Sequence, residues 1–275
     1  MPPRPALLLN AAAVESWPAW LLRARANADA RLLAHSRWVV RRKDDGRYLA
    51  AVGADGRVTP MDRPAWRGPL RQAALALVQR RPCHRGRTDH PSRPLPLHGL
   101  HSRLAMLGLD ATAYQRDTGL RMVAEPDWLA FAGFDRYRRP LWLRADAARA
   151  WSRMREAAGR DGVMLEAISG YRSHAYQLGI FQRKRARGLA VEDILAVNAA
   201  PGFSEHHSGL ALDLGTPGEP PAEESFERTA AFSWLQAHAG EHGFVMSYPR
   251  HNPHGIVHEP WHWAWQAAPL ASMSS

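Results

Sequence analysis

The pattern that most limits the fold is an irregular alternation of short helical stripes and short β-rich runs, with no repeating strand–helix–strand rhythm. Doubly wound parallel sheets need that rhythm, so the sequence predicts an α+β fold. Residues 15–34 (ESWPAWLLRARANADARLLA) have helical composition, with Leu and Ala on one side and Arg on the other. RWVVRR, RYLAAVG and RVTPM follow, separated by Asp-Asp-Gly and Ala-Asp-Gly. Asp-Gly between β-rich runs is a hairpin signal, which predicts a small meander over 36–61. A helix is predicted over 68–80, and the Pro-, Arg- and Gly-rich stretch 80–96 reads as a linker. The chain therefore divides into an accessory region, residues 1–96, and a second block, residues 97–275.

In the second block Asp146 is placed to cap a helix whose Ala147, Trp151, Met154 and Ala158 form one buried stripe, ended by Gly162. VMLEAIS (163–169) is a predicted strand, followed by a helix over 175–187 that Gly188 stops. VEDILAVNA is a shorter helix, broken by Pro201-Gly202. FERTAAFSWLQAHAG reads as a helix, and FVMSYPR and EPWHWAW as strands.

Composition bears on partners and on ligands. The formal charge is +10, carried almost wholly by arginine, since only Lys43 and Lys184 are lysine. The basic residues are scattered, and no helix-turn-helix, zinc-finger or RNP pattern accompanies them, so no nucleic-acid partner is expected. An anionic polymer such as a cell wall also suits this charge. Cys83 is the one cysteine, so no intramolecular disulfide can form and a metal site must rely on His and carboxylates. Cys83, His84 and His90 in the linker and His98 just after it fit no common zinc spacing and read as solvated loop residues. No apolar run approaches the roughly 20 residues of a membrane span. The N-terminal stretch is too short and too Pro-rich to read as a signal peptide.

Two stretches carry the chemistry. In SEHHSGLALD (204–213), Gly209 and the preceding Pro201-Gly202 argue against a continuous helix, whereas LALDL suits a strand with Ala211 and Asp213 on one face. HEPWH (258–262) spells the H-E-x-x-H of zinc-protease helices, but that motif needs one continuous helix. Pro260 inside it would cost about 3 kcal/mol and would push Glu259 toward β geometry. In a strand His258 and His262 would lie about 13 Å apart at ~3.3 Å per residue, too far to share a metal. The match is read as accidental, with His262 still free to be a ligand. Combining the two stretches gives His206, Asp213 and His262, two histidines and a carboxylate with an open fourth position, as in a catalytic zinc shell. Glu259 could then be the general base and Arg172, in SGYRSH, the cation that stabilises an oxyanion. Taken alone, H-x6-D reads more readily as a surface loop with a turn-capping Asp than as a ligand pair, and Arg172 equally as a surface ion pair.

SGYRSHAYQ (169–177), PGFSEHHSGLALDLG (201–215), AFSWLQAHAGEHGFVMSYPR (231–250) and EPWHW (259–263) together resemble the VanY-type D-alanyl-D-alanine carboxypeptidases. These are LAS metallopeptidases that share the hedgehog/DD-peptidase fold, an antiparallel sheet flanked by helices. The resemblance spans residues 110–266. It implies one Zn2+ at His206, Asp213 and His262, with Glu259 as catalytic base and Arg172 as electrostatic stabiliser. It also implies Ser204, Gln177, Tyr171 and Ser173 near the substrate, and His207 as a bystander or a support. The implied reaction is hydrolysis of the terminal D-Ala-D-Ala bond of peptidoglycan stem peptides, in the periplasm or cell envelope. Relatives that cut L,D-bonds or act as endopeptidases share the pattern, and so can a non-catalytic zinc-containing binding module. Two positions depart from the family: Ala264 stands where relatives often carry Arg, and His258 where an aromatic residue usually precedes E-P-W-H. Residues 1–96 lie outside the resemblance and are read as an accessory region.

Overall fold

The structure is a computed structural model that describes residues 7–80 and 91–267. Cys83, His84 and His90 lie outside the described residues, and His98 is exposed. The fold is α+β, and two antiparallel sheets carry it. The larger has seven strands in the order β5-β4-β3-β2-β1-β6-β7. These are β1 (Leu7–Asn10), β2 (Val14–Pro18), β3 (Ser36–Arg42), β4 (Tyr48–Gly53), β5 (Val58–Pro60), β6 (Trp128–Phe134) and β7 (Pro140–Leu143). The smaller has four, in the order β10-β11-β9-β8, from β8 (Glu166–Ser169), β9 (Ala211–Gly215), β10 (Phe244–Met246) and β11 (His262–Trp265).

The meander expected over 36–61 is present as β3, β4 and β5. The helix expected over 15–34 is not: Val14–Pro18 is a strand, and only α1 (Asn27–His35) is helical beyond one turn. β2 lies between β1 and β3, with Ser16 opposite both Leu9 and Val40. In that place strand pairing overrides helical composition. Val14 joins the cluster that includes Ala74 and Leu77 of helix α2 (Gly68–Gln79), whereas Trp17 joins Leu8, Leu129 and Trp142 on the opposite face.

The sheet also crosses the division read at residues 96 and 97. β1 pairs with β6, with Leu8 opposite Leu129, so the first strands and residues 128–143 form one continuous sheet. The region read as an accessory is thus hydrogen-bonded directly into the second block.

The four-stranded sheet packs on α5 (Ala145–Arg160). Ala147, Ala150, Trp151, Met154 and Ala158 on one face of α5 are buried against Leu212, Leu214, Trp234, Leu235 and Trp263. Asp146 is not the cap: Arg144 holds that position, and Asp146 lies in the first turn paired with Arg149. A carboxylate there still complements the helix dipole. α6 (His174–Ala186) starts at a true cap, Ser173, whose hydroxyl accepts from the Tyr176 N–H. α3 (Leu100–Ala105), α4 (Ala111–Thr118) and α7 (Val191–Ala196) surround a second core of Leu100, Leu104, Ala200, Phe203 and Ile256. α8 (Ala230–His238) completes the layer behind β9–β11. Among the described residues no helix is long and apolar enough to cross a membrane.

Candidate metal and catalytic site

Antiparallel pairing sets the first contact of the site. His262 on β11 lies directly opposite Asp213 on β9, and its Nδ1 is 3.1 Å from Asp213 Oδ1. Directly opposed residues are nearest neighbours on a sheet face. His206 comes from a single helical turn, Glu205–Ser208, just ahead of β9, and its Nε2 is 3.1 Å from the same Asp213 oxygen. Gly209 lets the turn fold back: its φ is +70°, and a Cβ there would collide with a Leu129 methyl. Three ligand atoms, one each from His206, Asp213 and His262, lie within 4.8 Å of one another, and all three residues are buried.

The donor set fits a divalent metal in its hydrogen bonding as well as its spacing. His206 Nδ1 is 2.7 Å from the Gly170 carbonyl, to which it donates, so Nε2 faces Asp213 as a lone pair. His262 Nε2 is 2.8 Å from Glu205 Oε2, leaving Nδ1 to face inward. Ligating histidines characteristically donate their other N–H to a carbonyl or carboxylate in this way. Glu205 escapes sequence reasoning; its only signal there is its place directly before His206.

Charge within the site is strongly perturbed. Burial opposes protonation of His262, but the Asp213 and Glu205 carboxylates override it and push its pKa up to about 10. Burial, with Arg172 adding to it, pushes His206 down to about 4. Burial would raise Asp213, but the two histidines and Arg172 hold it well below the usual carboxylate range. A dication in place of the His262 proton satisfies the same carboxylates, which is why metal binding and proton release are coupled in such sets.

Glu259 sits beside the triad. Its Oε2 is 3.9 Å from His262 Nδ1, and its backbone N–H donates to the Tyr248 carbonyl at 3.0 Å. Pro260 ends any helix there, and the His262 N–H turns back to the Glu259 carbonyl at 3.0 Å. Burial raises the Glu259 pKa to about 7, against the pull of His262. Arg172 reaches Asp213 Oδ2 at 3.7 Å. Its backbone is held from behind: the buried His207 donates from Nδ1 to the Arg172 carbonyl at 2.6 Å and accepts the Gly202 N–H at 3.0 Å. His207 is thus a support for the arginine segment and not a bystander.

A cavity of about 370 Å³ opens over these groups and is lined also by Ser204, Gln177, Tyr248 and Lys184. The Gln177 amide donates to the Ala199 carbonyl, while its Oε1 and Arg172 Nε have no partner among the described residues. One unused acceptor and one unused donor therefore remain at the site. Tyr171 and Ser173 do not line this cavity. Ser173 caps α6, and the Tyr171 hydroxyl points away into a buried cluster with Glu125, Asn10 and Lys43. Glu125 also accepts the His174 N–H at 2.8 Å. Burial would raise the Glu125 pKa, but the Lys43 charge and these bonds drive it down to about 2. His258 makes no hydrogen bond to the triad; its Nε2 is 3.1 Å from Glu227. Ala264, at the position where relatives often carry Arg, is buried in β11 opposite Ala211.

Comparison with known proteins bears on the region that carries the site. Residues 140–268 match the model of the VanY family, described as D-alanyl-D-alanine carboxypeptidase. The chain is 37% identical over 128 residues to YodJ of Bacillus subtilis, a putative carboxypeptidase, covering 44% of this chain and 45% of that one. It is 28% identical over 156 residues to VanXYC of Enterococcus gallinarum, a bifunctional D-Ala-D-Ala dipeptidase and D-Ala-D-Ala carboxypeptidase, covering 54% and 80%. The solved structure of the LdcB LD-carboxypeptidase is 34% identical, covering 45% of this chain and 59% of that one, with a TM-score of 0.43. The chain thus spans less than half the length of the first of these relatives. All four sequence blocks that carry the site begin after residue 140, inside the matched region, so the similarity to the VanY family of D-alanyl-D-alanine carboxypeptidases covers the site itself.

Proposed function

We propose that the protein is a zinc-dependent carboxypeptidase that removes the terminal D-Ala from peptidoglycan stem peptides ending in D-Ala-D-Ala. The observation that carries this reading is the convergence of His206, Asp213 and His262 with Glu259 and Arg172 at one cavity. A zinc ion held by the three ligands would supply Lewis acidity to a water and to the scissile carbonyl. Glu259 takes the water proton at its carboxylate and returns it to the nitrogen of the departing D-Ala. In the metal-free chain burial raises its pKa to about 7, so the carboxylate sits where it takes up a proton more readily than an ordinary glutamate. Arg172, fixed by His207, offers its guanidinium to the carbonyl oxygen as negative charge gathers there. Gln177 and Ser204 line the wall along which the peptide end would lie. A module that only binds zinc requires neither a base poised near neutrality nor a buttressed arginine.

The test is release of free D-Ala from a synthetic peptide ending in D-Ala-D-Ala by the zinc-loaded protein, lost on chelation and restored by zinc. Glu259→Gln should keep the metal and lose about 10²–10⁴-fold in turnover. A zinc-loaded protein inert toward this peptide but active on one ending in an L,D-bond would move the assignment to an L,D-carboxypeptidase. Inertness toward both would sink the peptidase reading.

A further inference from the structure

A second cavity, of about 310 Å³, lies on the face of the large sheet opposite α2, between that sheet and residues 169–173. Its walls come from both parts of the chain: Trp17 and Arg23 from the N-terminal region, Arg139 and Trp142 around β7, and Tyr176 from α6. Arg172 lines both this cavity and the one over the metal ligands, so the two meet at that residue. We infer that this cleft seats the amino-terminal, acyl part of the peptide substrate, and that it selects a carboxylate there.

The inference rests on the peptidase reading for its substrate, but on separate residues for its chemistry. Five cations line the cleft (Arg23, Arg41, Lys43, Arg139 and Arg172) against two carboxylates, Glu15 and Asp135. Four of the cations are already paired: Arg41 with Glu15, Lys43 with Glu125, Arg139 with Asp135 at 2.6 Å, and Arg172 with Asp213 at 3.7 Å. Arg23 is exposed and its guanidinium has no partner among the described residues, so it is the cation left for a ligand. Trp17 and Trp142 pack edge to face at 5.0 Å and give the wall an apolar surface, and Tyr176, 47% exposed, stands at the rim. An amphipathic cleft of this size with a spare arginine suits an extended peptide carrying an acidic side chain. The substrate that enters the metal cavity by its carboxyl end must send its acyl part past Arg172 or out to solvent, and the cleft begins at Arg172.

The experiment compares three substrates ending in D-Ala-D-Ala: a peptide with a free carboxylate in its acyl part, the same peptide with that carboxylate amidated, and a short N-acetylated form. The native protein should favour the acidic peptide over the amidated one by about tenfold in kcat/KM, mainly through KM. Arg23→Glu should abolish that preference, and Tyr176→Ala should raise KM for both long peptides, while the short substrate changes less than about twofold. Equal rates on the acidic and amidated peptides by the native protein, or equal losses on all three substrates in Arg23→Glu, would overturn the inference. Calorimetry with the acidic peptide lacking its last D-Ala separates the two readings. If nothing is cleaved but this peptide binds and Arg23→Glu abolishes binding, the cleft stands and the peptidase assignment falls; if it does not bind, the cleft falls.

Discussion

Two buried polar clusters flank residues 170–174, and they differ in how complete the protein alone makes them. In one, Glu125 receives Lys43, the Tyr171 hydroxyl, the Asn10 amide and the His174 N–H, so a buried carboxylate is surrounded by donors. In the other, Asp213 and Glu205 compete for the protons of one histidine, and the second histidine is pushed down to about 4 while the first rises to about 10. Burial is similar in both. What separates them is that the first is satisfied by its own chain, whereas the second carries negative charge that a cation fits. A buried ionic network is therefore not in itself the mark of a site; neighbouring groups with pKa values forced apart are a better one.

Removing a ligand from the second cluster gives the largest expected effect. His206→Ala should lose bound zinc and reduce D-Ala release to background, measured by metal analysis beside a turnover assay. Glu205→Gln should be milder: His262 keeps a hydrogen-bond acceptor but loses the carboxylate, and zinc affinity should fall about 10–100-fold in a competition titration. Full zinc affinity in that variant would show that Glu205 is only a neighbour.

The first cluster should fail in another way. Lys43→Met leaves Glu125 as an uncompensated buried charge, at a cost of about 3–5 kcal/mol in denaturant unfolding. Zinc stoichiometry of the folded fraction should not change. Loss of zinc at the same time would mean that the clusters act as one. The acid limb of stability tests the same group. Glu125 has its pKa lowered from 4.5 to about 2 in the folded chain, so the unfolded chain binds the extra proton between those values. Its stabilisation is complete above about pH 4.5 and is lost as the pH falls toward 2, on the order of 3 kcal/mol. In Glu125→Gln the slope of stability against pH in that window should flatten relative to the native protein; an unchanged slope would show that Glu125 is not held ionised.

The two clusters are not equally legible in the sequence. The grouping of His206, Asp213 and His262 is, once the four family-like blocks are added to strand alternation, which puts Asp213 on an open face, and to Pro260, which forbids the helix that would pair His258 with His262. Glu205 is not, since a glutamate on a turn beside a histidine has no spacing to distinguish it. Tyr171 and Ser173 share a motif with Arg172, yet Tyr171 turns toward the large sheet and Ser173 caps a helix. Short motifs record which residues are near one another, not which way each side chain points. The Lys43–Glu125 pair joins residues 82 positions apart, across a linker that reads as a boundary. Its existence follows from β1 pairing with β6, and local pattern does not encode such register. The strand at Val14–Pro18 is hidden for the same reason, as its central place in the sheet decides its conformation.

The smallest expected effect is the sharpest test of which histidine belongs to which cluster. His258 borders the metal cavity and completes an H-E-x-x-H spelling with Glu259 and His262, so composition alone would make it a ligand. Its ring is committed elsewhere: Nε2 faces Glu227 at 3.1 Å and Nδ1 faces the Tyr248 carbonyl at 3.3 Å. Glu227 is itself occupied by Arg250 at 2.7 Å, so loss of the histidine leaves that carboxylate paired. His258→Ala should therefore cost about 1 kcal/mol or less in stability and leave zinc content unchanged. Turnover should stay near the native value, because Glu259 is fixed by its backbone bond to Tyr248 and not by His258. Loss of zinc in this variant, with His206→Ala retaining it, would reverse the assignment and restore the helix-type motif that Pro260 argues against.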